Sequence, residues 1–221
     1  MAQKSSRAIK RNALELKQRV IVVLNKLGDR DTYQIAAEDL GRIAQTLGPE
    51  ELGPFLSCLF ETDSQQKSSV RRECVKVFAT LGDAHGEVLG PHLPKMVGNI
   101  IRRLKDPHSD SSVRDACVDA MGALASSRVD AMGVFVRPLL EALGEQNRQL
   151  QTASALCLAR VIQATAASSP PSHLLPALHN KTLLRILKLL SNNSFSPNAA
   201  ALLSVIASIV QVGLNFFSYS F

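Results

Sequence analysis

The sequence predicts an all-α fold, a solenoid of about five stacked helical hairpins. Two segments, TDSQQKSSVRRECVKVFATLG (62–82) and KDPHSDSSVRDACVDAMGALA (105–125), share a polar turn, then Ser-Ser-Val-Arg, then an apolar stripe. The shared pattern recurs after 43 residues, a period typical of repeats that consist of two helices. Apolar residues make up 46% of the 221 residues and aromatic residues only 5%, which favours closely packed helices over sheets.

Four apolar positions in each repeat predict one buried face of the second helix. Successive positions are separated by four, three and four residues, and this spacing places side chains on one side of a helix. Because the same stripe occurs in both repeats, we expect the second helices to share one continuous core. The positions are Val70, Cys74, Val77 and Leu81 in one repeat and Val113, Cys117, Ala120 and Leu124 in the other.

The first two hairpins are separated by clear helix stop and start signals. Unit one pairs residues 13–27 with residues 32–47, and Asp31 is the expected N-cap of the second helix. Gly48-Pro49 then separates the units, since Gly commonly ends a helix and Pro commonly begins one. Unit two pairs residues 50–61 with residues 68–81.

The remaining hairpins follow the same scheme. Unit three pairs 86–104 with 111–125, and Pro91 or Pro94 marks an alternative start of its first helix. Unit four pairs 129–143 with 148–166, and the Ser/Pro-rich stretch 168–172 predicts a linker. Unit five pairs 173–190, with a potential break near Asn180, with 198–212. These elements divide the chain into a basic arm (1–12), a helical array (13–212) and an apolar tail (213–221).

The net charge of +6 comes from the first 30 residues. This segment carries eight basic residues against Glu15 and Asp29, whereas the rest of the chain has 17 basic and 17 acidic residues. Such a local excess suits an acidic protein, nucleic acid or anionic lipid as partner, or else forms a solvated helix face. Lys10, Arg11 and Lys17 are the candidate contact residues in this segment.

The chain carries no recognisable catalytic or metal-binding motif. Its four cysteines occur about once per repeat among apolar neighbours, without CxxC or Cys/His spacing, which predicts buried thiols in a reducing cytosol. A Gly-rich phosphate loop and a GxSxG motif are absent as well. The sequence therefore predicts a protein that is not an enzyme and that uses no cofactor, metal or small-molecule substrate.

Basic residues recur in or just after the predicted turns between paired helices. In a stack of hairpins these turns line up along one edge, so the residues could form a basic strip. Arg71 and Arg114 each follow an Asp by eight residues, which favours an internal Asp/Arg ladder between units over binding. Lys67, Lys105 and Arg148 lack an evident intramolecular partner and are the better contact candidates. The complete strip comprises Arg30, Lys67, Arg71, Lys105, Arg114 and Arg148.

Two longer runs carry a resemblance to known proteins. LKDPHSDSSVRDACVDAMGALA (104–125) resembles a HEAT repeat, whose second helix commonly opens with Val-Arg after an Asp-containing turn. The chain from KQRVIVVLNKLGDRDTYQIAAEDL (17–40) through PFLSCLFETDSQQKSSVRRECVKVFATLG (54–82) resembles the N-terminal domain of the plant Tortifolia/Spiral microtubule-associated proteins. The likeness extends over about residues 8–212.

The resemblance implies a HEAT/armadillo-type, TOG-like array that binds tubulin or microtubules, together with a separate basic region. It implies regulation of cortical microtubule dynamics and directional cell growth, in the cytoplasm and on the cytoskeleton. After Val212 the sequence reads GLNFFSYSF, where the family continues into another repeat and a long basic tail. We therefore expect a short or truncated member whose exposed C-terminal apolar surface favours self-association.

Other interpretations stay open beside this one. The array could be a scaffold for another protein or a helical peptide, bound in a groove formed by the second helices. The basic N-terminus could bind nucleic acid. Residues 199–221 are uncharged and long enough to cross a bilayer, so a tail anchor competes with a last core helix. The core interpretation rests on a continued apolar stripe at Leu202, Val205, Ile206 and Ile209.

Overall fold

The computed structural model describes the backbone of residues 2–61, 66–166, 175–192 and 199–218, and the side chains of residues 11–61, 66–164, 179–191 and 199–212. These residues form α-helices and two short 3-10 helices (Gly86–Leu89 and Val129–Ala131), and the described ranges contain no strand. The α-helices are α1 (Ala2–Lys26), α2 (Tyr33–Thr46), α3 (Leu52–Phe60), α4 (Ser68–His85), α5 (Leu93–Lys105), α6 (Ser111–Ser127), α7 (Met132–Ala142), α8 (Arg148–Ala166), α9 (Leu175–Asn192) and α10 (Ala199–Ser218).

The helices pack as successive antiparallel pairs whose second members form one row. In this row α4 packs against α2 and α6, and α8 packs against α6 and α10. The first helices form a second layer, in which α1 contacts α3 and α7 contacts both α5 and α9. The arrangement confirms the predicted all-α solenoid of helical hairpins.

The buried stripe of the second helices is confirmed. All eight positions that the two aligned repeats predict are at most 5% exposed, and α10 continues the stripe with Leu202 at 5% and Val205 at 0%. Val20 of α1 and Leu27, the residue that follows this helix, are likewise buried. Because each helix buries one side against its neighbours, the core runs along the whole stack.

Three predicted helix boundaries differ in detail from the structure. Thr32, not Asp31, is the N-cap residue of α2, and it makes no side-chain cap hydrogen bond. The backbone N–H of Asp31 instead donates to Oδ1 of Asp29 over 3.0 Å, so the turn forms its own local hydrogen bond. Helix α9 continues through Asn180 without a break. Helix α5 begins at Leu93, between the two prolines that were the alternative starts.

The two ends of the chain are helical over most of their described length. Helix α1 begins at Ala2 and therefore includes most of the predicted basic arm, and α10 extends to Ser218, into the predicted tail. None of the helices that the structure describes combines the length and apolar character that a bilayer-spanning segment requires. Exposed apolar side chains do occur in α9 and α10, with Leu184 at 68% and Leu203 at 54% exposure. Self-association through this surface stays a prediction.

All four cysteines are buried free thiols, as the sequence predicted. Burial raises the pKa of Cys117 to about 12 and that of Cys157 well above its usual value. Because the thiolate is the reactive form, a raised pKa keeps these residues unreactive at neutral pH. They act as small core side chains.

The side chain of Asp110 caps the N-terminus of helix α6. Oδ1 of Asp110 accepts hydrogen bonds from the Ser112 hydroxyl over 2.8 Å and from the backbone N–H of Val113 over 3.0 Å. The bond from Ser112, followed by the one from Val113, lowers the pKa of Asp110 to about 2. The ionised carboxylate thus satisfies a backbone donor that the first helical turn would otherwise leave free.

We expect Asp110→Ala to lower the free energy of unfolding by about 1 kcal/mol at pH 7, because it removes this cap. Folding lowers the pKa of Asp110 below the unfolded value of about 3.9, so the contribution is complete well above pH 4 and is lost as the pH falls toward 2. Urea denaturation at neutral and acidic pH measures the difference from the unaltered protein. A difference that stays constant between the two conditions would contradict the assignment, and Asp115→Ala, an exposed change in the same helix, is the control.

Candidate functional site

The turns between paired helices line up along one edge of the array. Nζ of Lys67, which precedes α4, donates to the carbonyl oxygen of Gly28 in the first turn over 2.5 Å. Oγ of Ser69 donates to the carbonyl oxygen of Leu27 over 3.3 Å. Farther along, Lys105 at the end of α5 contacts Glu145 in the turn between α7 and α8. We call this series of contacting turns the turn edge.

Arg71 ties unit two to unit three and is not part of an exposed strip. Its side chain is 4% exposed and forms an ion pair with Oδ2 of Asp106 over 2.9 Å. It also donates to the carbonyl oxygen of His108 over 2.6 Å. The partner is thus the aspartate of the following turn, as a ladder between neighbouring repeats requires. Asp63, the aspartate that precedes Arg71 in its own repeat, lies outside the described residues.

Arg114, the second candidate of the ladder, has a different environment. It is half-buried and donates to the backbone carbonyl oxygen of Ser109. It forms no ion pair with any residue that the structure describes. The corresponding position in the next unit is Leu143, and Gln151 of α8 donates to its carbonyl oxygen over 3.4 Å. Leu143 and Gln151 both belong to unit four, so this bond does not link two units. The Asp/Arg ladder is therefore not continued from Arg114.

The expectation that Lys67 and Lys105 lack intramolecular partners is wrong. Lys67 donates to Gly28, as described above, and Nζ of Lys105 lies 2.5 Å from Oε1 of Glu145. Both lysines are exposed, and the side chains of Lys105 and Glu145 are 47% and 44% exposed. Exposed pairs of this kind contribute little stability and open readily, so both lysines stay accessible to a partner.

Arg30 and Arg148 are exposed at the turn edge, and neither forms an ion pair with a described residue. Arg30 lies in the turn between α1 and α2, and Arg148 is the first residue of α8. Asp29 and Asp31 flank Arg30 in the sequence, and Glu145 near Arg148 faces Lys105. Two of the predicted cations are therefore exposed and form no ion pair with a described side chain.

The predicted contact residues of helix α1 differ in their surroundings. Arg11 is 74% exposed and lies 3.6 Å from Glu15, one helical turn away. Lys17 is half-buried; burial raises the pKa of the Cys58 thiol, and the positive charge of Lys17 opposes this shift. The side chain of Lys10 lies outside the described residues, although its backbone belongs to α1. Of the three, Arg11 is the described side chain with the greatest access to solvent.

A polar cluster between α2 and α4 was missed by the sequence analysis. Oε1 of Glu73, a residue only 8% exposed, accepts hydrogen bonds from the Tyr33 hydroxyl over 2.5 Å, from Lys76 over 2.9 Å and from Arg72 over 3.3 Å. Burial raises the pKa of Glu73, but the hydrogen bonds from Tyr33 and Lys76 outweigh it, and the pKa is lowered overall. Arg72 also lies 5.8 Å from the centre of the Tyr33 ring. Both cations of this cluster thus share the one carboxylate of Glu73.

The adjacent second helices α6 and α8 enclose a surface groove of about 390 Å³. Arg114 and Arg148 lie at its turn-edge end, and Leu156 is the large apolar side chain most exposed in its wall, at 40%. The scaffold alternative predicted a groove formed by the second helices, but no sequence motif located it between α6 and α8, since its residues come from two helices of different units. Its lining consists of Arg114, Asp115, Val118, Arg148, Gln149, Thr152, Ala153 and Leu156.

No group of His, Cys, Asp and Glu side chains among the described residues has an arrangement that could hold a metal ion. The charged residues of the turn edge are instead spread over successive turns. Such a surface can contact an extended acidic partner at several points.

Comparison with known proteins connects this chain to a family. The TORTIFOLIA1 N-terminal family matches residues 14–220. The chain is 43% identical to the microtubule-associated protein TORTIFOLIA1 of Arabidopsis thaliana over 213 residues, which cover 90% of this chain and 24% of that protein. It is 44% identical to TORTIFOLIA1-like protein 4 of the same plant, over 90% of this chain and 31% of that protein.

TORTIFOLIA1-like protein 2 of Arabidopsis thaliana is 43% identical, over 85% of this chain and 23% of its own length. The chain thus spans between 23% and 31% of the length of these three relatives. A solved engineered protein aligns over 88% of this chain with 17% identity and a TM-score of 0.41, a likeness too low to bear on the fold. On the match over residues 14–220 and the identity to these relatives, the chain belongs to the TORTIFOLIA1 N-terminal family.

Proposed function

We propose that this chain is a non-enzymatic microtubule-binding protein that acts on cortical microtubule dynamics and thereby on directional growth. The observation that carries the proposal is the 43% identity, over 90% of the chain, to a relative named as a microtubule-associated protein. The location that follows is the microtubule cytoskeleton in the cytoplasm.

The turn edge supports the proposal by its shape and charge. It presents Arg30, Lys67 and Lys105 from three successive turns, all of them exposed. Helix α1 adds Arg11 and the net positive charge of the first 30 residues. A row of cations on a rigid edge can contact a polyanionic surface at several points at once, although each exposed charge alone contributes little. Binding of this kind is expected to weaken strongly as salt is added, because salt screens exposed charges.

The test is cosedimentation of the purified chain with stabilised microtubules at low salt and at about 0.15 M salt, where the screening length is about 8 Å. We expect binding at low salt that weakens at the higher concentration. The triple variant Arg30→Glu, Lys67→Glu and Lys105→Glu should bind about tenfold or more weakly, because it reverses three charges of the turn edge. If the unaltered chain does not bind even at low salt, the proposal is wrong.

A control variant separates local contact from net charge. Lys95→Glu, Arg137→Glu and Lys188→Glu reverse three exposed charges on α5, α7 and α9 and change the net charge equally. We expect this variant to bind microtubules much like the unaltered chain. An equal loss in both variants would show that overall charge, and not the turn edge, governs binding. Unaltered binding of the turn-edge variant would move the site to the basic segment of α1, where Lys10→Glu with Arg11→Glu tests it.

Binding measurements on the same purified chain decide between microtubules and nucleic acid as the partner. Binding to double-stranded DNA with a steep salt slope, and at least as tight as binding to microtubules, would favour it over the proposal. We expect weaker binding to DNA, because affinity for nucleic acid grows with the number of phosphate contacts and the turn edge presents only a few cations. The scaffold alternative is favoured by a specific feature, the groove between α6 and α8.

A further inference from the structure

We propose that the groove between α6 and α8 is a binding site for a short acidic peptide that carries an apolar side chain. The groove combines two uncompensated arginines at one end with an apolar wall, and its volume of about 390 Å³ suits a few side chains. The groove shares Arg148 with the turn edge but includes none of Arg30, Lys67 and Lys105, the three cations on which the microtubule test depends, so the two proposals can fail independently.

The charge of the groove indicates an acidic ligand. Arg114 and Arg148 come from the first turns of α6 and α8, and neither forms an ion pair with a described residue. Asp115 lines the same groove, so the lining has two arginines against one aspartate and is net positive. Asp119, one turn farther along α6, lies 3.7 Å from Arg160 of α8 and is compensated there. Arginine binds carboxylates with two parallel hydrogen bonds, which favours Asp or Glu side chains as partners.

The wall of the groove indicates an apolar side chain on the same ligand. Val118 is partly buried and packs against the core, Ala153 is 5% exposed, and Leu156 is 40% exposed. Covering Leu156 with an apolar group removes both surfaces from water, which is favourable. The two arginines lie at one end of the groove, and the apolar residues lie within about two helical turns of them. One short peptide can therefore reach both.

The combination favours a peptide over a nucleic acid. Phosphate groups alone would leave the apolar wall exposed, and two arginines provide few of the phosphate contacts on which nucleic-acid affinity depends. A groove between two helices that accepts side chains of an extended or helical peptide is a recurring mode of recognition. The two flanking helices are long and packed on their neighbours, so the site is largely formed before binding.

Fluorescence anisotropy with a panel of labelled peptides tests the proposal. Each peptide has one Leu, Ile or Phe and several Glu residues, and the panel varies the spacing between the apolar and acidic positions. We expect at least one member to bind with a dissociation constant of about 100 μM or lower. Versions with Gln in place of Glu, or Ser in place of the apolar residue, should bind at least about tenfold more weakly.

Variants of the groove assign the binding to it. Arg114→Glu with Arg148→Glu should weaken peptide binding about tenfold or more, and Leu156→Ser should weaken it several-fold. Asp115→Asn should strengthen peptide binding, because the substitution removes a negative charge that repels the acidic peptide. The control Lys95→Glu with Arg137→Glu reverses two exposed charges in the other layer and should bind as the unaltered chain does. Circular dichroism verifies that every variant stays folded.

The outcomes separate this proposal from the microtubule proposal. If no member of the panel binds, or if the arginine variant binds unchanged, the acidic-peptide site is wrong. An oligonucleotide that binds more tightly than any peptide and depends on the same arginines would also overturn it. The turn-edge triple variant should keep its peptide affinity. If this variant loses microtubule binding but keeps peptide binding, the result bears on the turn edge alone and not on the groove.

Discussion

Replacing Phe78 by Ala is expected to lower the free energy of unfolding by about 3–5 kcal/mol, the usual cost of truncating a buried Phe to Ala. Phe78 is fully buried in α4, which packs against both α2 and α6 in the row of second helices. Its ring meets that of Phe60 edge to face with 6.0 Å between the ring centres, so the substitution also removes an aromatic contact between α3 and α4.

Urea denaturation followed by far-ultraviolet circular dichroism measures this effect. Since domains of this size have a stability of about 5–15 kcal/mol, the variant should lose much of its resistance to urea. Ile35→Ala is the control, because Ile35 is 64% exposed on α2 and its truncation should change stability by about 0.5 kcal/mol or less. A loss below about 1 kcal/mol for the Phe78 variant would mean that the row of second helices is not the main core.

The second large effect concerns the buried ion pair between Arg71 and Asp106. Arg71→Met should lower the free energy of unfolding by about 3 kcal/mol, because it leaves Asp106 uncompensated and His108 without its hydrogen bond. The Asp106 side chain keeps 16% exposure, so water relieves part of the cost and places the effect at the lower end of the range for buried pairs. Urea denaturation of the variant measures this loss.

A double-mutant cycle distinguishes the ion pair from simple loss of packing. Asp106→Asn alone should also destabilise the protein, and the double variant should lose less than the sum of the two single losses. Arg137→Met, a change at an arginine that is 85% exposed, should have almost no effect. Additive single losses would show that the two side chains do not act as a pair.

The helices of this protein were predictable because their signals are local. The apolar stripe from Val70 to Leu81 follows the period of one helix and needs no knowledge of its neighbours. Gly48-Pro49 and the Asp-containing turn before Ser111 also mark helix ends within a few residues of the structure. The exceptions were single residues such as Asp31, which is not the N-cap of α2 and instead donates its backbone N–H to Asp29 within the turn.

The candidate site was predictable only in part. That basic residues would lie on one edge followed from the repeat, and Arg30 and Arg148 are indeed exposed at the turns. The sequence did not show which of these cations form ion pairs, because their partners lie far away along the chain. Arg71 and Asp106 are 35 residues apart, and Lys105 and Glu145 are 40 residues apart. A groove between second helices was one of the alternatives drawn from the sequence, but its position and lining could not be predicted for the same reason.

The sequence by itself determined the helical hairpins, their buried faces and the excess positive charge of the first 30 residues, since each depends on neighbours along one helix or on composition. Only the tertiary structure decided which charges are neutralised and where an apolar wall meets unpaired arginines. The physical reason is that ion pairs and grooves form between side chains of different repeats, and the stacking of the repeats sets their distances.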